Sequence, residues 1–138
     1  MPLFTRNKTR AVQSFILKVV NNNCPELAAL TEGSRLESRV NLTVAVLVVP
    51  VEAGRPLVQK AFTAVTKEFS TTGLALVLDE PWALDEVLVG FRWQRELTFI
   101  RATAKHLNPI GGGFFQLGLQ MTEVVGPDEA PDLRTLSL

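Results

Sequence analysis

From Val40 onward, apolar side chains recur at every second position. Val40, Leu42, Val44, Val46 and Val48 share one face of an extended chain, with Asn41, Thr43 and Ala45 on the other. A period of two is that of a β-strand with one buried face. The second face turns apolar at Leu47 and Val49, as in a strand entering more buried surroundings. Upstream the period is helical. Within Lys8 to Val20, the residues Val12, Phe15, Ile16 and Val19 predict an amphipathic helix, with Asn7 placed as its cap and Asn21-Asn22-Asn23 as its stop. Pro25 to Leu30 adds a short helical turn. The apolar face of the helix either packs on the domain or joins a dimer; recognition of a partner is the sharper alternative.

Pro50 and Glu52-Ala53-Gly54-Arg55-Pro56 read as a turn. Further strands are predicted over Ala61 to Thr66, Leu74 to Leu78, Glu86 to Trp93, Leu97 to Leu107 and Phe114 to Met121. Asp79-Glu80-Pro81 breaks the chain after the third strand, and Asn108 to Gly113 forms a hairpin turn before the sixth. Short strands, tight turns and no interleaved helices predict an all-β fold: a six-stranded antiparallel β-barrel with an N-terminal amphipathic helix. The expected division is a helical segment at 1–33, the barrel at 34–125 and a flexible C-terminal tail at 126–138, which carries two prolines and three acids.

Composition narrows the class. A chain of 138 residues has room for one core, and 46% hydrophobic with 20% charged residues is ordinary for a globular domain. Fourteen basic and fourteen acidic side chains cancel, which argues against DNA or other broad nucleic-acid binding but leaves room for a local phosphate site. The charge is uneven. Residues 1–40 hold Arg6, Lys8, Arg10, Lys18, Arg35 and Arg39 against Glu26, Glu32 and Glu37, so an anion site is expected in the N-terminal third. The single cysteine, Cys24, allows no intrachain disulfide and favours a reducing compartment. MPLFTRNKTR lacks the apolar core of a signal peptide, and the longest apolar run, Val44 to Val51, is too short for a membrane span. A cytoplasmic location is expected.

Two stretches carry candidate chemistry. Arg35-Leu36-Glu37-Ser38-Arg39 sets two guanidinium groups four residues apart, just before the first strand. An arginine fork donates parallel hydrogen bonds to phosphate and also matches O6 and N7 of guanine. The spacing alone is weak, because Arg6 and Arg10 repeat it at the start of the predicted helix; solvated loop arginines are the plain alternative. Glu68-Phe69-Ser70-Thr71-Thr72-Gly73 falls between the second and third strands. A carboxylate can accept from N1 and N2 of guanine, Ser70 can bond a base or phosphate, and Gly73 permits close approach. A capped turn is the plain alternative there.

The remaining candidates read as structural. Gly111-Gly112-Gly113 opens a strand rather than a helix and is a turn, not a phosphate loop. Arg92, Trp93 and Arg95 mark a strand end, and Asp79, Glu80, Asp85 and Glu86 are solvated turn charges. One histidine, His106, and one cysteine supply no zinc set, and no nucleophile motif is present, so no metal or cofactor and no enzyme activity is expected.

Taken together, RLESR before a strand and an acidic residue, Phe, Ser, two residues, Gly after the next strand resemble the PilZ domain family. That family has Arg-x-x-x-Arg and Asp or Asn-x-Ser-x-x-Gly. Gly73-Leu74-Ala75-Leu76 and Phe115-Gln116-Leu117-Gly118-Leu119 extend the similarity, which covers about 34–125. The resemblance implies a six-stranded barrel binding the bacterial signal cyclic di-GMP, with Arg35, Arg39, Glu68, Ser70 and Gly73 as ligand-binding residues. Glu68 departs from the family's Asp or Asn by one methylene. The expected function is a cyclic di-GMP receptor that orders its arginine loop on binding and signals to an unidentified protein partner, with room for a homodimer. The alternative is a degenerate PilZ-like interaction module that binds no nucleotide. A barrel for single-stranded RNA would need a basic aromatic face, and the chain has no Tyr and no net charge.

Overall fold

The structure is a computed structural model that describes residues 3–23, 31–32, 35–36, 39–126 and 129–138. Among the described residues, helix α1 spans Leu3–Asn23, and ten strands follow: β1 Thr31–Glu32, β2 Arg35–Leu36, β3 Val40–Asn41, β4 Ala45–Glu52, β5 Arg55–Pro56, β6 Phe62–Phe69, β7 Gly73–Leu78, β8 Glu86–Trp93, β9 Glu96–Gly111 and β10 Phe114–Val125. Six of these close into an antiparallel ring in the order β4-β6-β7-β10-β9-β8, because β4 pairs with both β6 and β8. Closure removes the free edge over the stretches where these strands pair on both sides. The short strands β3 and β5 extend the sheet to eight, and β1 pairs with β2 apart from it.

Inside the ring, alternate residues of every strand form one core. Val46 and Val48 of β4, Leu74 and Leu76 of β7, Val87 and Val89 of β8, and Leu117 and Leu119 of β10 are buried in it. Helix α1 belongs to the same core through Val12, Ile16, Val19 and Val20, and half-buried Phe15 meets Phe91 edge-on at 5.8 Å. The apolar face of the helix thus packs on its own domain. The helix is longer than its periodicity predicts, so Asn7 lies inside it rather than at its cap.

The first strand is broken where the alternation reads as continuous. Between β3 and β4, the hydroxyl of Thr66 donates to the carbonyl of Leu42 at 2.6 Å and accepts from the amide of Val44 at 2.9 Å. Thr66 is 1% exposed, and these bonds satisfy it while bridging the gap in the ladder. Pro50, expected in a turn, lies within β4, which extends to Glu52. Pairing of β4 with β6 ends at Val48, so Pro50 sits where one ladder has stopped, a position that tolerates proline. The hairpin after β9 is also tighter than expected: β9 runs to Gly111, and Gly111, Gly112 and Gly113 all take positive φ.

The tail also differs from expectation. Leu133, in a short helical turn at Pro131–Thr135, is buried against Leu47, Val49, Leu88, Phe99 and Val125 on the outer face of the ring. The second apolar face of β4, legible at Leu47 and Val49, is therefore the seat of the chain's last residues.

A charged cluster ties the helix to the sheet. Lys8 of α1 pairs with Glu123 of β10 at 3.0 Å, Arg101 of β9 reaches Glu123 at 2.9 Å, and Arg101 also pairs with Glu86 of β8. Burial pushes the Glu123 carboxyl up, but hydrogen bonds from Lys8 and Arg101 and their charges outweigh it and hold the carboxyl below its ordinary value. A group with a lowered native pKa stabilises the fold above its unfolded value, about 4.3, and that contribution is lost as pH falls through the native value. Glu123→Gln is expected to narrow the gap in stability between pH 7 and pH 3, read from urea unfolding at both. An unchanged gap would place the acid sensitivity elsewhere.

Candidate functional site

Two β-bulges build the site. On β6, Ala64 and Thr66 face the core, so strict alternation would turn Glu68 inward. A register shift between Thr66 and Glu68 against β7 leaves Lys67 as the extra residue. The phase flips, Phe69 enters the core with no exposed surface, and Glu68 faces out. On β9 the same happens at Lys105. Ala104 packs on the core and pairs with Leu119, His106 pairs with Gly118, and Leu107 returns to the core. Lys105 and His106 are both exposed, although neighbours in a regular strand point to opposite faces.

A row of cross-strand partners links the two bulges. His106 faces Gly118, Gly118 faces Ala75, and Ala75 faces Glu68. The middle of the row holds the two smallest side chains, so the sheet is bare between Glu68 and His106. A pocket of ≈ 290 Å³ lies over it, lined by Arg39, Glu68, Ser70, Gly73, Lys105, His106, Gln116 and Gln120 among others.

The turn from β6 to β7 holds the second motif in place. The Ser70 hydroxyl accepts the amide of Gly73 at 3.0 Å, and the Ser70 amide donates to the Gly73 carbonyl at 3.0 Å. A Cβ at residue 73 would stand 2.6 Å from the Ser70 hydroxyl oxygen, so any side chain there would push that hydroxyl from its place against the Gly73 amide. The motif therefore spans the end of β6, the turn and the start of β7, rather than lying wholly between strands. Arg39 reaches the motif from the chain just before β3, with Nη1 at 3.4 Å from Oε1 of Glu68. The Arg39 side chain is 77% exposed, so this is a weak surface pair, worth about 0–1 kcal/mol.

The structure thus brings Arg39, Glu68, Ser70 and Gly73 to one pocket. Arg35 lies in β2, its backbone paired with Glu32; its side chain, with residues 33–34 and 37–38, lies outside the described residues, as does the expected turn at Pro25 to Leu30. The pocket also contains Gln116, from the segment that extends the resemblance, and Lys105, His106 and Gln120, which the sequence motifs do not mark. His106, read as structural, is exposed there. Among the described residues no group of three or more His, Cys, Asp and Glu side chains could hold a metal, and no helix is long and apolar enough to cross a membrane. Trp93 is engaged with Phe15, ring to ring at 6.5 Å, while Arg92 and Arg95 border a different cavity beneath the C-terminal segment.

A scan against protein-family models finds no match, and no curated protein matches the chain. Among solved structures, the chain is similar to the inhibitor of motility of Bacillus subtilis, MotI/DgrA, at 15% identity and a TM-score of 0.49. That match covers 65% of this chain and 43% of the other, so the chain spans less than half of that protein's length. A likeness at this level says nothing about the site.

Proposed function

We propose that the chain is a PilZ-like β-barrel receptor for cyclic di-GMP, a binding module without a catalytic step. One observation carries the reading. The two motifs that resemble the family's ligand-binding pair lie 29 residues apart between Arg39 and Glu68, and the fold brings those side chains into contact at the rim of a polar pocket. Arg39, with Arg35 on the same approach, would hold phosphate or the O6 and N7 edge of guanine. Glu68 would accept from guanine N1 and N2, and Ser70 and Gly73 would fix the turn against the ligand. The ligand must displace the weak Arg39–Glu68 pair, and the segment from Arg35 to Arg39 would order around it. A partner protein, or a second copy of the chain, would read the changed surface, provided the ligand favours the ordered state.

The alternative is the interaction module that binds no nucleotide. Glu68 itself occupies Arg39, and an apolar patch is exposed elsewhere: Trp82 stacks on Phe62 at 5.3 Å, and Phe114 is 48% exposed. Helix α1 is not that surface, since its apolar face is buried. Calorimetry with cyclic di-GMP, GMP and a short oligonucleotide separates the readings. Saturable binding of cyclic di-GMP, with little for GMP and none for the oligonucleotide, is expected. Heats from the oligonucleotide alone would favour single-stranded RNA, and three flat titrations would leave the interaction module.

A further inference from the structure

Opposite the motif residues, the imidazole of His106 lies across Gly118. A Cβ on residue 118 would stand 2.4 Å from both Cε1 and Nε2 of the ring. Glycine is therefore the residue that lets the ring settle there, and Gly118 is buried although His106 is exposed. Only the bulge at Lys105 puts His106 on this face; a regular strand would have sent it into the ring's interior. Beyond Gly118 the row continues through Ala75 to Glu68, two strand spacings or about 10 Å from Gly118. The ring covers Gly118, so the open floor of the trough is Ala75, bounded on one side by the Glu68 carboxylate and on the other by the imidazole, with Lys105 also lining the pocket.

We propose that His106 is the stacking wall of the site: its ring packs against a guanine base whose polar edge is turned toward the motif residues. The inference rests on the nucleotide reading above and adds the residue that would select a planar base. Aromatic side chains that border an electropositive groove hold bases this way irrespective of hydrogen-bond pattern. A plain structural role, an aromatic ring covering a strand glycine, predicts the same unliganded geometry and no effect on ligand.

The test uses the whole chain and cyclic di-GMP. His106→Ala should weaken binding roughly tenfold, and His106→Phe should restore it to near the wild-type value, since stacking needs a ring and not a proton. Gly118→Ala, whose new methyl group displaces the ring, should weaken binding with His106 still present. The chain has one histidine, so its imidazole gives a single Hε1 resonance, which should move upfield when a base stacks on it. If wild type binds while His106→Ala binds equally well, or the Hε1 signal stays put, the stacking wall is wrong and the nucleotide reading stands. If His106→Phe is as weak as His106→Ala, stacking is likewise overturned. If wild type itself binds nothing, both fall.

Discussion

Replacing Phe69 by Ala is expected to lower stability by about 3–5 kcal/mol, whereas replacing its neighbour Glu68 by Ala should change it by less than about 1 kcal/mol. Phe69 has no exposed surface and its ring lies 6.1 Å from that of Phe91, so truncation removes a large transfer term and opens a cavity in the ring's interior. Glu68 faces solvent and loses only its pair with Arg39. The contrast tests the bulge at Lys67 directly. Without it, alternation from Ala64 and Thr66 would bury Glu68 and expose Phe69, and the two costs would exchange. Urea unfolding of both variants settles which register holds. A mild Phe69→Ala would remove the bulge, and with it the geometry that presents the motif. Domains of this size are stable by about 5–15 kcal/mol, so Phe69→Ala should remain folded at low temperature and be measurable.

The same bulge shows what the sequence made legible and what it hid. Five of the six ring strands begin within two residues of the positions their patterns predict, since a half-buried strand writes its period into the chain; only β4 starts later, after the break between Asn41 and Ala45 that Thr66 bridges. The strand Glu86–Trp93 matches at both ends because Asp85 and the turn after Trp93 bound it. Elsewhere the alternation skips a beat: Thr66 to Phe69 and Ala104 to Leu107 are inward positions three apart instead of two. Read as noise, the first gap ends a strand at Thr66, whereas the other strand is ended at Leu107 by the turn signal that starts at Asn108-Pro109. Read as bulges, the two gaps carry β6 on to Phe69 and turn Lys105 and His106 out beside Glu68. The motif residues were visible because a family pattern names them; the facing wall was not, because a cross-strand row needs the register of β9, β10 and β7, which no local pattern contains. The docking of Leu133 was hidden for a related reason. Two prolines and three acids in the tail suggest a loose segment, and only the unexplained second face of β4 pointed to something covering it.

At the ligand, the largest effect is expected from the arginines. Arg35→Ala with Arg39→Ala should abolish measurable cyclic di-GMP binding, because each lost charge-assisted contact costs roughly 1–3 kcal/mol, about five- to 150-fold in affinity apiece. Stability should hardly move, since Arg39 is exposed and its pair with Glu68 is weak. Arg10→Ala, an exposed arginine on α1, is the control and should leave binding intact. Glu68 then separates the two leading readings. Its carboxylate stands one methylene further out than the family's Asp and carries one more rotor to fix, at a cost of a few tenths to about 1 kcal/mol. In a working site Glu68→Asp shortens that reach, frees Arg39 from its internal partner and should tighten binding, while Glu68→Ala loses the acceptor for the guanine edge and should weaken it. In a module that never bound nucleotide, neither change creates affinity. Titrating wild type, both Glu68 variants and the double arginine variant at one salt concentration decides it: a graded series of Asp, wild type, Ala and no binding supports the receptor. Wild-type affinity in the double alanine variant would move the site off this pocket altogether.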